Sequence, residues 1–292
     1  MAKRSIETTK AYILSQPLPN HGKSYTVISH KQVIDNTLKL LNDSGFTVKE
    51  ELYRASMHAN IAQGIYHIHP NNPSDPSINN EDELGMMFTW TNSYDKSRAF
   101  RCAIGAYVKV CSNGMLAGEM MNFKRKHTGS ANMDMKVHMA DQIKNGEKYY
   151  KRLIADKDVM KMIPLDKKRV SELVGRLYID SEIIEAQQVS AIKAEINKPS
   201  FDYGVSNESA WAFYNHVTHA LKKSHPKTWL QDQQDFHDFM TAEVIDPGLW
   251  LNLELNTDNS DLDIKMEDIV DVVIDEDITH NRLIQDGYMG RI

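Results

Sequence analysis

What this sequence lacks narrows it first. Two cysteines, Cys102 and Cys111, in 292 residues supply no disulfide framework. A reducing, intracellular compartment is therefore expected. No apolar run approaches the roughly 18 residues that a membrane-spanning helix needs. The first residues, MAKRSIETTK, start basic but lead into no apolar stretch, so no signal peptide is read. There is no Gly-rich phosphate loop, no dinucleotide fingerprint and no Gly-x-Ser-x-Gly nucleophile elbow. HExxH, paired Cys-x-x-Cys and EF-hand patterns are missing too. Internal repeats and low-complexity tracts are absent. The specific signatures of nucleotide enzymes, serine hydrolases and common metalloenzymes are thus not found, and no catalytic residue, metal or cofactor is assigned.

What is present is a charge gradient. The formal net charge is −6, but residues 1–130 hold 15 Lys and Arg against 11 Asp and Glu. Residues 131–240 hold 16 of each, and residues 241–292 hold 3 basic against 13 acidic. Binding to a polyanion depends on a local stripe rather than on the total, so the acidic balance does not exclude it.

The hydrophobic period divides the chain. Residues 1–24, with Pro17, Pro19 and Gly22, read as an irregular arm. Tyr25–Ile28 reads as a short strand. Ser29 is placed to cap a helix over 30–42, with Val33, Ile34, Thr37, Leu38 and Leu41 on one face and Gly45 ending it. Alternating residues then predict strands over 46–51, 60–69, 84–92 and 98–111, the last a half-buried antiparallel strand. From about Asn132 the period becomes helical. A long or broken helix over 133–162 is followed by helices capped by Asp166, over 183–196, over 207–224 and from Pro226. After Pro247 the pattern is extended and acidic. The expected class is α+β: an N-terminal antiparallel β-sheet with packed helices (25–130), a mostly helical half (131–245) and an acidic extended C-terminal segment (246–292).

Three stretches carry candidate chemistry. Asn92–Ser97 is a hairpin turn whose Ser93, Tyr94, Lys96 and Ser97 stand beside Arg98 and Arg101; hydroxyls, backbone N–H groups and cations together suit phosphate oxygens. Cys111-Ser112-Asn113-Gly114 contains an Asn-Gly turn signal, with Asn113 a candidate contact. Cys111 reads as structural, because no spacing supplies it with an activating base. Lys124, Arg125, Lys126 and His127 are adjacent cations that repel unless water or an anion compensates them. Trp90 and Tyr94 are candidates to stack on bases, although aromatics in a β-rich half mostly form core. Histidines recur as His67/His69, His216/His219 and His237 beside Asp235 and Asp238, donor types that zinc or manganese accepts.

The run T-N-S-Y-D-K-S (91–97), then G-A-Y-V-K-V-C-S-N-G-M (105–115), G-E (118–119), K-H-T-G (126–129) and W-A-F-Y-N-H-V-T-H-A-L (211–221), resembles the phage/plasmid-like proteins of unknown function. The resemblance covers about residues 25–225. It implies a mobile-element origin and transfers no catalytic residue. The helix–strands–helix order is, by analogy alone, similar to phage single-strand annealing proteins.

The expected function is a non-enzymatic, phage- or plasmid-encoded protein of the host cytoplasm that binds single-stranded nucleic acid for annealing or protection. A homo-oligomer is expected and no membrane. The alternatives are a host-defence antagonist that binds a host protein or mimics nucleic acid, and a metal-dependent hydrolase.

Overall fold

Six β-strands form one antiparallel sheet in sequence order, built from β1 (Ile6–Thr8), β2 (Phe46–Ala55), β3 (Ile61–Pro70), β4 (Leu84–Ser93), β5 (Arg101–Val108) and β6 (Asn113–Met115). The structure is a computed structural model and describes residues 6–20, 27–116 and 131–247. The expected α+β order, sheet first and helices after, is the one observed. The acidic segment after 247 lies outside the described residues, as do residues 25 and 26 of the strand read at 25–28.

Local sequence explains the first large helix, α2 (His30–Asp43), which follows the short α1 (Lys10–Ser15). Ser29 and Gln32 form a reciprocal capping box, with Ser29 Oγ accepting from Gln32 N at 3.0 Å and Ser29 N donating to Gln32 Oε1 at 2.9 Å. Gly45 follows in the left-handed region at φ +80°, where a side chain would be strained. Val33, Ile34 and Leu41 are fully buried beneath it.

The lead-in is more ordered than an irregular arm. β1 pairs with the far end of β2, and Ile13 of α1 is buried. The strand expected over 98–111 is also shorter. Its turn spans 109–112, with Ser112 at φ +55°, and Asn113 and Gly114 are paired inside β6 rather than forming the turn. β5 is not half-buried either, because Ala103 and Gly105 are as covered as Cys102 and Ile104.

Helices cover both faces of the central strands. Tyr66, Phe88, Trp90 and Ile104 share one face by register and lie under α2, α4 (Ala131–Lys144) and α5 (Gly146–Met162). The expected long helix is broken at Gly146, where a Cβ would come within 2.5 Å of Ile104 Cδ1, so α5 starts by lying directly on β5. The other face, with Gln63, Met87 and Thr91, meets Trp229 at the start of α9 (Trp229–Met240) near Gly114. The α3 turn (Pro76–Asn80), α6 (Lys167–Ile179), α7 (Ala186–Asn197) and α8 (Ala210–Leu221) complete the described fold. Asp166 caps α6 as expected, accepting from Arg169 N at 2.7 Å.

Buried polar groups form chains that reach the surface. Trp90 Nε1 donates to Tyr66 Oη at 3.1 Å, Tyr66 and Tyr53 hydroxyls meet at 3.2 Å, and Tyr53 donates to Glu51, which Lys10 holds at 2.9 Å. Such satisfaction is what permits hydroxyls and an indole N–H in a packed sheet.

Candidate functional site

The β4–β5 hairpin owes its shape to one aspartate. Asp95 Oδ1 accepts from Ser93 Oγ at 2.8 Å and from Ser97 N at 2.9 Å, a local alternative to strand pairing. Burial disfavours its charge, yet Ser97, Ser93 and Lys227 outweigh that, and its carboxyl sits below the ordinary range. Lys96 follows in the left-handed region at φ +61° with its side chain exposed. Tyr94 anchors the turn from below: its N–H donates to Asn60 O at 2.6 Å, its hydroxyl accepts from His30 N at 2.7 Å, and its ring stacks on His30 at 3.7 Å.

Above this anchor two arginines stand together. Arg98 and Arg101 are half-buried, and the Nε of each lies out of solvent with no hydrogen-bond partner among the described residues. Burial, and then the charge of Arg98, pull Arg101 below its ordinary range, while Asp235 opposes them. Arg101 donates to Gln231 Oε1, whose amide in turn donates to Asp235 at 2.6 Å, so the carboxylate acts at one remove. No ion pair joins Arg98 to any described residue. Lys227, from the α8–α9 connection, lies within electrostatic reach of Asp95. Lys96, Arg98, Arg101 and Lys227 thus belong to one end of the sheet. Lys227 and Gln231 were not legible as site residues, since about 130 residues separate them from the hairpin and neither sits in a motif.

The other expected contacts are placed differently. Ser93 and Tyr94 are buried and occupied in the hairpin. Asn113 is fully buried and its amide donates to Asn215 O at 3.0 Å and Oδ1 at 3.1 Å, tying β6 to α8, so it presents nothing to a ligand outside. Trp90 is fully buried because β4 is a central strand covered on both faces, which removes it as a stacking platform. Ser97 is exposed at the tip. Lys124, Arg125, Lys126 and His127 lie outside the described residues.

Among the described residues, no imidazole is in hydrogen-bond contact with Cys111. Its sulfur faces Asn215 Oδ1 at 3.8 Å and Val108 O at 3.9 Å, its carbonyl accepts from Lys222, and burial pushes the thiol up. Two of the histidine groups contain a ring held by a carboxylate. His67 pairs with Glu50 at 2.9 Å and stacks on Tyr107 at 3.6 Å. His237 lies between Tyr214 Oη and Asp156 Oδ2, each at 3.1 Å. Among the described residues, Glu81, Asp82 and Glu83 place carboxylate oxygens within 4.8 Å of one another. Lys157 Nζ, 2.9 Å from both Glu81 and Glu83, already supplies a cation there. Burial disfavours the Lys157 charge, but the bonds to Glu83 and Glu81 outweigh it and raise its pKa.

A family model described as "Domain of unknown function (DUF932)" matches residues 17–243. The chain belongs to this family. The match spans the whole sheet from β2 onward, the hairpin with Arg98 and Arg101, and the α8–α9 connection that brings Lys227. No curated protein and no solved structure matches the chain. Among the described residues no helix is long and apolar enough to cross a membrane.

Proposed function

We propose that this protein binds single-stranded nucleic acid, without catalysis, along the edge formed by Lys96, Arg98, Arg101 and Lys227. The supporting observation is the arginine pair. Among the described residues, these two half-buried guanidinium groups repel each other, keep Nε groups without partners, and have no carboxylate bonded directly to either. A phosphate oxygen relieves both deficits, because guanidinium forks match its geometry and its charge cancels the repulsion. A flexible single strand can bend to bring successive phosphates onto cations grouped at a hairpin tip. The motifs shared with phage/plasmid-like proteins favour a mobile-element setting, in which annealing or protection of single strands is the matching task.

Fluorescence anisotropy with a labelled oligonucleotide at low and moderate salt tests this. Affinity is expected to fall with salt at a log–log slope of about −0.7 per phosphate neutralised, hence about −3 for four cations. The double variant Arg98→Ala/Arg101→Ala is expected to lose most of that binding with its melting temperature retained. Absence of binding even at low salt would overturn the proposal.

A further inference from the structure

Beside the hairpin lies a second tip, the β2–β3 turn, and its backbone is strained. His58 (φ 59°, ψ 19°) and Ala59 (φ 46°) are consecutive non-glycine residues in the left-handed region. Such a conformation is sterically costly for a residue with a Cβ and persists only where its surroundings impose it. Here they do. Ser56 N donates to Ile61 O and Ala59 N to Ser56 O, both at 2.9 Å, and Ile61 N donates to Ser56 Oγ at 3.0 Å. His30 adds a brace from α2: Asn92 Nδ2 donates to its Nδ1 at 3.0 Å, which leaves Nε2 to donate to Ala59 O at 2.8 Å. Tyr94 adds another from the hairpin through Asn60 O.

The braced turn presents one apolar side chain outward. Met57 is 66% exposed, and the His58 ring is exposed next to it. Because Ile61 is the register partner of Ser93, this tip and the cationic hairpin leave the same end of adjacent strands. Strands in a sheet are about 4.8 Å apart, so a chain held on one tip reaches the other. A thioether is polarizable and favours contact with aromatic rings, and apolar wedges including Met are used against bases.

We infer that Met57 and His58 form the base-contacting lip of the strand-binding edge, taking the place of the buried Trp90 and Tyr94. This rests on the single-strand reading above and assigns the base contact within it. Phosphates lie on Arg98 and Arg101, and the bases turn toward Met57.

The test compares an oligothymidine with an abasic strand of equal length, for the unchanged protein and for Met57→Ser. The side chain is exposed, so Met57→Ser is expected to melt with the unchanged protein. The unchanged protein is expected to prefer the base-bearing strand by about fivefold or more, the scale of one base contact. Met57→Ser is expected to bind both strands alike, at the abasic level. No preference in the unchanged protein, or a preference that survives Met57→Ser, overturns the inference while leaving phosphate binding intact. Failure to bind either strand overturns the single-strand reading itself.

Discussion

Lys157 and the Arg98–Arg101 pair are both cations drawn partly out of water, and they are treated in opposite ways. Lys157 has a side chain only 4% exposed and lies between two glutamates, with Glu81 at 7%. Arg98 and Arg101 interact with each other electrostatically, and Arg101 is linked to Asp235 through Gln231. A buried charge that is fully paired belongs to the fold. A half-buried charge left next to its like is where a ligand is proposed to bind. The difference shows which of the chain's many Lys and Arg residues to ask about ligands. Removing Lys157 is the strongest way to break the comparison. Lys157→Met leaves the buried Glu81 without its cation, while Glu83 keeps Lys161 at 2.8 Å, and the loss of one partner of a buried pair costs about 3–5 kcal/mol. A urea midpoint should report it. A loss under about 1 kcal/mol would mean that Lys157 is no more structural than the arginines.

Arg54 sharpens the contrast from the other side. It is buried, and part of its guanidinium is spent on backbone. Its Nη2 donates to Lys222 O and to Ser224 O, both at 2.7 Å, at the C-terminal end of α8. Burial pulls its pKa down to about 10, against the pull of Glu7 and Asp232. Arg54→Ala should cost about 2–3 kcal/mol, because it orphans buried carbonyls. It should also weaken strand binding, because those carbonyls lie just before Lys227 in the same connection. Loss of stability with binding unchanged would detach Lys227 from the edge.

A smaller effect concerns acid. His216 is buried on α8 with neither ring nitrogen hydrogen-bonded to a described residue, and His219 shares its face. Burial lowers both, His216 and His219, against the pull of Glu195. Around them stand Tyr203 on His216, Phe201 on His219, Glu195 of α7, and Lys222 and Lys223 after α8. Above the ordinary histidine value of about 6.5, neither folded nor unfolded chain is protonated at these sites. Below it the unfolded chain takes up protons first, so stability falls as pH drops toward the folded value. Glu195, held below its ordinary range by Ser200 despite burial, adds loss in the same direction at lower pH. Denaturation midpoints near neutrality and at mild acidity should differ accordingly. His216→Phe should flatten the dependence, and an unchanged slope would place the acid response elsewhere.

Much of the fold was legible because it is local. Ser29, Gln32 and Gly45 announce α2 within the span of the helix itself, and Asp166 announces α6. Strand alternation located β2 to β5. What misled was coverage. Asn113-Gly114 carries the composition of a turn, yet α8 packs against it and draws it into β6 through Asn215. Trp90 and Tyr94 have the chemistry of stacking platforms, but only the packed sheet shows that both are buried. The candidate site divides in the same way. Lys96, Arg98 and Arg101 are visible as a charge run. Lys227, Gln231 and the strained Met57–Ala59 tip join them through long-range topology, which leaves no local pattern.

The least effect on stability is expected at Arg98, and that smallness is the point. Arg98 makes no ion pair with any described residue, and its charge pulls down that of Arg101. Arg98→Gln therefore removes a repulsion and no bond. Stability should stay within about 0.5 kcal/mol of the unchanged protein, as for surface changes away from a packed feature. Strand binding should nonetheless weaken, with the salt slope reduced by about 0.7. A stable variant with weaker, less salt-sensitive binding separates a cation kept for a ligand from one kept for the fold. A variant that unfolds would put Arg98 with Lys157 on the structural side.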